Sequence, residues 1–167
     1  MGFFKKNKNK DNNNIRKAKC SKDDRPVHFT YAVHGAGDLS QAHEGEWIDL
    51  RAAFDTELTA NEFTMIDLGV RIQLPEGYEA ILAPRSSSFK KYGFIQTNGI
   101  GVIDHLYSGP GDCWMLPVLP TKTLTIPAGE RIAQFRIQKQ QPPLVCQEID
   151  PKEISCESRG GFGSTGR

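Results

Sequence analysis

The sequence has no long apolar run. None of its segments approaches the roughly 18 consecutive apolar residues of a membrane-spanning helix. The N-terminus also lacks the apolar segment of a secretory signal peptide. We therefore expect no membrane association and a cytoplasmic protein.

Paired cysteine motifs are absent too. The four cysteines, Cys20, Cys113, Cys146 and Cys156, form no C-x-x-C pair, and none has a histidine at zinc-ligand spacing. Reduced thiols are the expected state. An isolated cysteine such as Cys113 is more often a small packing residue than a nucleophile.

Acidic residues are scarce in one segment only. Residues 1–25 carry nine Lys and Arg against three Asp, a net charge of +6, whereas the remainder carries −5. The segment is rich in Lys and Asn and has almost no apolar periodicity, so we expect a disordered basic arm. It could tether the protein to nucleic acid or another anionic surface, but short basic tails usually only solvate a chain.

Helical periodicity is nearly absent. Apolar residues alternate along Val27–Val33, Leu68–Leu74 and Ala133–Ile137, which predicts half-buried strands separated by Gly- and Pro-rich turns. Only SSSFKKY, residues 86–92, is suited to a helical turn with serines at its N-cap. Many short strands with so little helix indicate an all-β sandwich or barrel.

Three stretches suggest more than strand and turn. PRSSSFKKYGF places an arginine and hydroxyls at a strand end, which fits an anion site or simply N-cap serines beside a surface arginine. TNGIGVIDHLYSGPGDCW places Asp104 after apolar and glycine positions, where a carboxylate needs a task or a partner. RGGFGSTG at the C-terminus fits either a phosphate loop or a flexible linker.

These stretches resemble a known family when they are taken in order. EWIDLRAA, APRSSSFKKYGF, TNGIGVIDHLYSG, GERIAQF and RGGFGSTG resemble the five motifs of the trimeric deoxyuridine triphosphatase (dUTPase) family, in its bacterial and phage-type branch. The resemblance implies an all-β, jelly-roll-like barrel over residues 26–150. It also implies a homotrimer with active sites shared between subunits. Residues 151–167 would then form a flexible C-terminal arm that closes over nucleotide.

The resemblance also implies a reaction, the hydrolysis of dUTP to dUMP and pyrophosphate by water attack at the α-phosphorus. Asp104 corresponds to the general base that activates the water. Asp49 corresponds to a carboxylate that reaches Mg²⁺, the implied cofactor, through the water shell of the ion.

Substrate-binding roles follow from the same resemblance. Phosphate contacts are implied for Arg85, Ser86, Ser87 and Gln134, and contacts with uracil for Asn98, Gly101, Val102 and Ile103. Tyr107 would pack against the deoxyribose. In the C-terminal arm, Phe162 would stack on uracil while Arg159, Gly163, Ser164 and Thr165 bind the γ-phosphate.

The sequence departs from the family pattern at several points. Glu46 and Trp47 replace a small residue and a glycine before Asp49, and Ser87 replaces a glycine. SGPGDCW replaces the usual acidic turn of the third motif. In the fifth motif, Glu157 stands where an arginine is common, which is why the γ-phosphate role passes to Arg159.

Two alternatives to a dUTPase stay open at this point. The related dCTP deaminases share the fold, but deamination needs a glutamate in the strand after the third motif, and GDCWMLPVLP contains none. A regulatory role through a protein partner could coexist with catalysis, with the basic arm as a second binding element. Nucleic acid is the less expected partner.

Overall fold

The computed structural model describes residues 26–40 and 47–154. This part of the chain forms strands, one short α-helix and one turn of 3₁₀-helix. The strands are β1 (Thr30–Val33), β2 (Ile48–Arg51), β3 (Thr56–Leu58), β4 (Thr64–Asp67), β5 (Val70–Gln73), β6 (Tyr78–Pro84), β7 (Phe94–Gln96), β8 (Gly101–Asp104), β9 (Met115–Pro120), β10 (Leu124–Ile126) and β11 (Arg131–Lys139). The helix α1 is Ser88–Tyr92, and the 3₁₀ turn is Pro151–Glu153.

The strands pair into four small antiparallel sheets. Their orders are β1-β5, β10-β3, β2-β11-β6-β8 and β4-β9-β7. The four-stranded sheet is the one that positions the candidate site, because four of the five motifs contribute to it. The expected all-β fold is confirmed.

One apolar core lies between the sheets. Leu68, Val70, Ile72 and Leu74 are each no more than 4% exposed, so the alternation around β5 is confirmed. Trp114, the largest fully buried side chain, meets the Phe135 ring edge-on at a centroid distance of 5.0 Å. Burying each such side chain contributes about 1.5–3 kcal/mol, which is enough to set the register of strands with one apolar face.

Strand β1 differs from the expectation of a half-buried strand. Tyr31 and Val33 are both 49% exposed, and the strand proper begins only at Thr30. The reason is its position, because β1 pairs with β5 alone and has no second strand beside it in the described part of the chain. Alternation shows that a strand forms but not what packs on it.

The serines at the start of α1 differ from the expected N-cap serines. Ser87 occupies the N-cap position but its side chain makes no capping bond. Ser88 is instead buried, and its Oγ donates to the Ile132 carbonyl at 2.7 Å, which ties α1 to β11. Gly93 ends the helix with a positive φ of 67°, as residues at helix C-termini often do.

The predicted basic arm, residues 1–25, lies outside the described residues, as does most of the predicted C-terminal arm. Within the described part, no helix is long and apolar enough to cross a membrane.

Candidate active site

A pocket opens where β8 leaves the four-stranded sheet. It encloses about 350 Å³. Six of the residues with predicted roles line it: Asn98, Gly101, Val102, Ile103, Asp104 and Tyr107. The other lining residues, which the sequence reasoning did not identify, are Met65, Leu82, Trp114, Met115 and Pro117. The pocket is therefore an apolar slot with a few polar groups, as small-molecule sites commonly are.

Asp104 stands at the end of β8 with its two carboxylate oxygens in different environments. Oδ1 accepts hydrogen bonds from the backbone N–H groups of Leu106 at 2.8 Å and Tyr107 at 3.2 Å. These bonds form the turn after the strand and fix the carboxylate. Oδ2 has no hydrogen-bond partner among residues 26–40 and 47–154, and is the oxygen left for a ligand.

The ring of Tyr107 is held across the pocket mouth. Its Oη donates to the Cys113 carbonyl at 3.1 Å, which closes the SGPGD turn. Gly109 N–H donates to Asp112 Oδ2 at 2.7 Å inside the same turn. The unusual turn therefore gives the aromatic ring a defined place.

A second polar cluster lies on the other strands of the sheet. Asp49 on β2 bridges two arginines, with Oδ1 2.8 Å from Arg85 Nε and Oδ2 3.0 Å from Arg131 Nη1. Gln134 on β11 pairs with Asp49 on one side and Ala83 on the other, and its Nε2 donates to the Pro84 carbonyl at 3.3 Å. Two cations against one carboxylate leave this cluster with positive charge.

Ser86 and Ser87 follow Arg85 directly, and both residues are exposed. This arrangement of guanidinium groups and hydroxyls can bind a polyanion. Asp49 is the carboxylate of the cluster. Its oxygens retain acceptor capacity for water beside the two guanidinium bonds.

The pocket carboxylate and the basic cluster lie at opposite ends of β6. Asp104 pairs with Glu79 near the start of β6, whereas Arg85 follows the last residue of that strand. Six residues of extended chain span roughly 20 Å. This distance is too great for Asp104 and Arg85 of the same chain to act on neighbouring atoms of one phosphate chain.

One further polar cluster was missed in the sequence, because its members are remote along the chain. His34, Asp67 and Cys113 have ligand atoms within 4.8 Å of one another. His34 Nε2 lies 2.9 Å from Asp67 Oδ2, and Cys113 Sγ lies 3.0 Å from Asp67 Oδ1. Arg71 Nη1 lies 2.9 Å from the other ring nitrogen, His34 Nδ1.

The hydrogen bond from Arg71 fixes the tautomer of His34 and therefore determines whether the cluster can bind a metal ion. A guanidinium only donates, so Nδ1 of His34 carries the lone pair and Nε2 carries the proton, which it donates to Asp67. With that tautomer, Nε2 has no lone pair for a metal. The cluster is therefore a hydrogen-bond network that holds β4, β5 and the segment before β9 together.

The pKa values in the network agree with this assignment. Burial raises the pKa of Asp67, but hydrogen bonds from His34, Cys113 and Gly69 outweigh it and hold the pKa below its usual range. Burial and the neighbouring Asp67 carboxylate raise the pKa of the Cys113 thiol to about 12. Cys113 is thus a protonated donor and not a nucleophile, as expected from the sequence.

The remaining predicted residues lie outside the described part of the chain. They are Arg159, Phe162, Gly163, Ser164 and Thr165, and their roles stay predictions. His105, the only histidine within a motif, has a buried Nδ1 with no partner in the part of the chain that the structure describes.

The pocket and the basic cluster together indicate a class of protein, an all-β protein with a largely apolar pocket near one end of β6 and an anion-binding cluster near the other. Comparison with known proteins agrees with that class. The dUTPase family model matches residues 47–166. The SPbeta prophage-derived deoxyuridine 5'-triphosphate nucleotidohydrolase of Bacillus subtilis is 46% identical over 128 residues, which cover 77% of this chain and 89% of that protein.

A second relative, from another organism, has a lower sequence identity. The deoxyuridine 5'-triphosphate nucleotidohydrolase of Yarrowia lipolytica is 36% identical over 137 residues, which cover 81% of this chain and 78% of that protein. The chain therefore belongs to the dUTPase family.

Solved structures show the same fold. The dUTPase of Streptococcus mutans superposes with a TM-score of 0.60 at 24% identity, covering 69% of this chain and 98% of that one. The dUTPase of Staphylococcus bacteriophage 80alpha with dUpNHpp gives 0.65 at 20% identity, covering 84% of this chain and 99% of that one. A mutant dUTPase from phage phi11 of S. aureus, described as coordinating a structural Mg(II) ion, gives 0.63 at 17% identity, covering 75% and 99%.

Proposed function

We propose that this enzyme hydrolyses dUTP to dUMP and pyrophosphate, by attack of water at the α-phosphorus. The observation that carries the proposal is the pocket, in which the Asp104 carboxylate, with one oxygen free of hydrogen bonds to the described residues, lies beside apolar side chains and the Asn98 amide. Relatives that are 46% and 36% identical are named for this reaction.

Asp104 acts as the general base. Its Oδ1 is fixed by two backbone N–H groups, so Oδ2 is held in place to take a proton from the attacking water. The oxygen of that water forms a bond to the α-phosphorus, and the bond to the bridging oxygen breaks. Pyrophosphate leaves with the electron pair, and the proton passes first to Asp104.

The pocket selects the nucleoside. Asn98 and the backbone of Gly101, Val102 and Ile103 line it and bind the polar edge of uracil. The Tyr107 ring packs against the sugar and leaves no room for a 2′-hydroxyl. A ring with the opposite donor and acceptor pattern leaves buried groups unpaired, which is costly.

The basic cluster binds the phosphates. Arg85, Ser86, Ser87 and Gln134 neutralise and position them, and Arg131 is held in the same cluster by Asp49. Mg²⁺ fits here through water, because Asp49 already accepts from two guanidinium groups and the ion keeps much of its water shell. When bound, it neutralises charge on the triphosphate.

We further propose that the active sites are shared in a homotrimer. About 20 Å of β6 separates Asp104 from Arg85 in one chain, so a complete site needs Asp104 from one subunit and Arg85 from another. The C-terminal arm, with Arg159, Phe162, Gly163, Ser164 and Thr165, would then close over nucleotide held by neighbouring subunits. The free thiols of Cys113 and Cys146 fit action in the cytoplasm.

The test is a panel of deoxynucleoside triphosphates and UTP with Mg²⁺, in which pyrophosphate and ammonia are followed separately. We expect pyrophosphate from dUTP alone. Ammonia from dCTP would instead indicate a deaminase, and intact dUTP in the presence of Mg²⁺ would refute the proposal.

The second candidate, a regulatory role in addition to catalysis, stays a prediction. The phage 80alpha dUTPase is described as controlling transfer of virulence genes by a G protein-like mechanism, but at 20% identity that likeness carries the fold alone. A pulldown that loses its partner when residues 1–25 are deleted, with unchanged hydrolysis, would support the role.

A further inference from the structure

A buried amide lies beneath the candidate pocket. Gln96, at the end of β7, is 5% exposed, and in the described part of the chain the only other buried polar or charged side chain is that of Ser88. Burying an amide is costly unless it forms hydrogen bonds. The contacts of Gln96 therefore show why it is placed there.

Both hydrogen bonds of Gln96 start from its amide nitrogen. Nε2 donates to Asn98 Oδ1 at 2.8 Å and to the Leu82 carbonyl at 3.4 Å. Because a carbonyl only accepts, the atom of Gln96 that faces Leu82 must be the nitrogen. The Asn98 atom that faces the same nitrogen must then be its oxygen.

This chain of bonds orients the Asn98 amide. With Oδ1 held by Gln96, the Nδ2 group of Asn98 has no hydrogen-bond partner in residues 26–40 or 47–154. Asn98 lines the pocket, so the group it has available for a ligand is a donor. A donor matches the 4-carbonyl of uracil and opposes the 4-amino group that replaces it in cytosine.

We propose that Gln96 is a positioning residue that fixes the Asn98 amide with its donor toward the pocket, and that it thereby sets the preference for uracil over cytosine. The inference rests on the proposed function, because it assigns the base selectivity of the same site. Gln96 itself touches no substrate.

Stability alone does not explain the choice of an amide at position 96. Gln96 Oε1 is buried without a partner among the described residues, as is Trp114 Nε1 of the pocket lining. A buried unsatisfied polar atom costs stability. An apolar side chain of similar length at position 96 would remove this unsatisfied oxygen but would also lose the two hydrogen bonds that Nε2 donates, so stability is measured beside specificity.

The experiment compares wild type with Gln96→Met, which keeps side-chain length and loses both polar atoms. We expect its melting temperature to fall by a few degrees, because two hydrogen bonds are lost while one unsatisfied buried oxygen is removed. We expect the ratio of kcat/KM for dUTP to kcat/KM for dCTP to fall about tenfold or more. Gln73→Met is the matched control, because Gln73 is exposed on β5 and its side chain accepts a hydrogen bond from Thr30 on the neighbouring strand; its ratio should equal that of wild type.

Gln96→Glu provides a second variant if Gln96→Met is unstable. A carboxylate accepts from the Asn98 amide nitrogen and so turns its oxygen toward the pocket, and the dUTP:dCTP ratio should fall further. In a double-mutant cycle, Gln96→Met should change nothing more once Asn98→Ala is present. Additive effects, or an unchanged ratio in both Gln96 variants, would overturn the proposal.

Calorimetric binding of dUMP and dCMP separates this inference from the proposed function. Loss of dUMP preference in Gln96→Met supports the inference even if wild type hydrolyses no dUTP. If both Gln96→Met and Gln96→Glu still bind dUMP in preference to dCMP, the role of Gln96 is refuted, whereas the proposed hydrolysis of dUTP is unaffected.

Discussion

At the scale of the residue, the division of labour within Asp104 is the sharpest feature of the site. One oxygen is occupied by the turn that follows β8, and the other has no partner in the region that the structure describes. Asp104 thus has two roles, because Oδ1 accepts hydrogen bonds in the turn and Oδ2 is the oxygen proposed to act as the base. A substitution that removes the basic oxygen and keeps the acceptor of the turn tests the catalytic role alone. Asparagine does this, because it keeps an acceptor for the backbone.

Asp104→Asn should lower kcat for dUTP by roughly 10²–10⁴-fold, the usual contribution of a general base. Binding of dUMP should stay within a few-fold of wild type, since the turn is preserved. Stopped-flow release of pyrophosphate and calorimetry measure the two effects. Asp55→Asn is the control, because Asp55 also accepts from a backbone N–H, that of Ala128, but lies outside the pocket. Wild-type turnover in Asp104→Asn would remove Asp104 from its assigned role.

The pKa of Asp67 makes a stability prediction with a definite sign. Burial raises the pKa of Asp67, but hydrogen bonds from His34, Cys113 and Gly69 bring it below the ordinary value for an aspartate, so the folded state favours the carboxylate. Its contribution is present above the unfolded pKa and is lost as pH falls through the lower folded pKa.

Asp67→Asn should therefore cost about 1–3 kcal/mol above pH 5, and the difference from wild type should shrink from pH 4 downward. Urea unfolding at pH 7, 5 and 3.5 measures it. Cys113→Ala removes one donor and should weaken the same pH dependence. If the difference in free energy of unfolding between wild type and Asp67→Asn grew as the pH fell, the assigned direction of the Asp67 pKa shift would be wrong.

At the scale of the element, the entry into β5 depends on two glycines in contact. Gly69 has a φ of +70°, and a Cβ there would lie 2.6 Å from Gly37 Cα and 2.7 Å from the His34 carbonyl oxygen. Those atoms are backbone and cannot move aside cheaply. The contact fixes the segment that carries His34 against β5.

Gly77 is the matched comparison, since its φ is +81° and a Cβ there meets nothing within 4 Å. Gly77→Ala should cost only the backbone strain, about 1–2 kcal/mol. Gly69→Ala should cost at least about 2 kcal/mol more, because it adds a clash. Thermal melts of the two variants measure the difference. Equal losses of stability in Gly69→Ala and Gly77→Ala would show that Gly69 is not packed tightly against Gly37 and His34.

Elements also show where sequence reasoning succeeds. The alternation from Leu68 to Leu74 predicts a strand with one buried face, and the strand and its burial are confirmed. The same pattern at Val27–Val33 predicts a strand correctly, but β1 covers only part of it and its apolar residues are exposed. The alternation of apolar residues predicts that the backbone is extended. Burial of those residues depends also on which other segments pack against the strand, and the alternation does not contain that information.

At the scale of the whole molecule, the separation of Asp104 from Arg85 predicts complementation between inactive subunits. Asp104→Asn and Arg85→Ala should each be nearly inactive alone. Co-refolded in equal amounts, they should recover about a quarter of wild-type activity, since one site in four would combine intact residues from two chains. The matched control pairs Asp104→Asn with the double variant, which restores no site. Absence of recovery in the first mixture would place both residues in one chain's site.

Local sequence patterns were enough to predict a strand-rich fold. The order of the five motifs was enough to predict the family and most of the candidate residues. These depend on local periodicity and on residues that are adjacent along the chain. Tertiary structure decided what the motifs do together. It placed Cys113 against His34, 79 residues away, it set Asp104 and Arg85 at opposite ends of β6, and it oriented Asn98 through Gln96. Such relations follow from packing between remote segments, which no local pattern encodes.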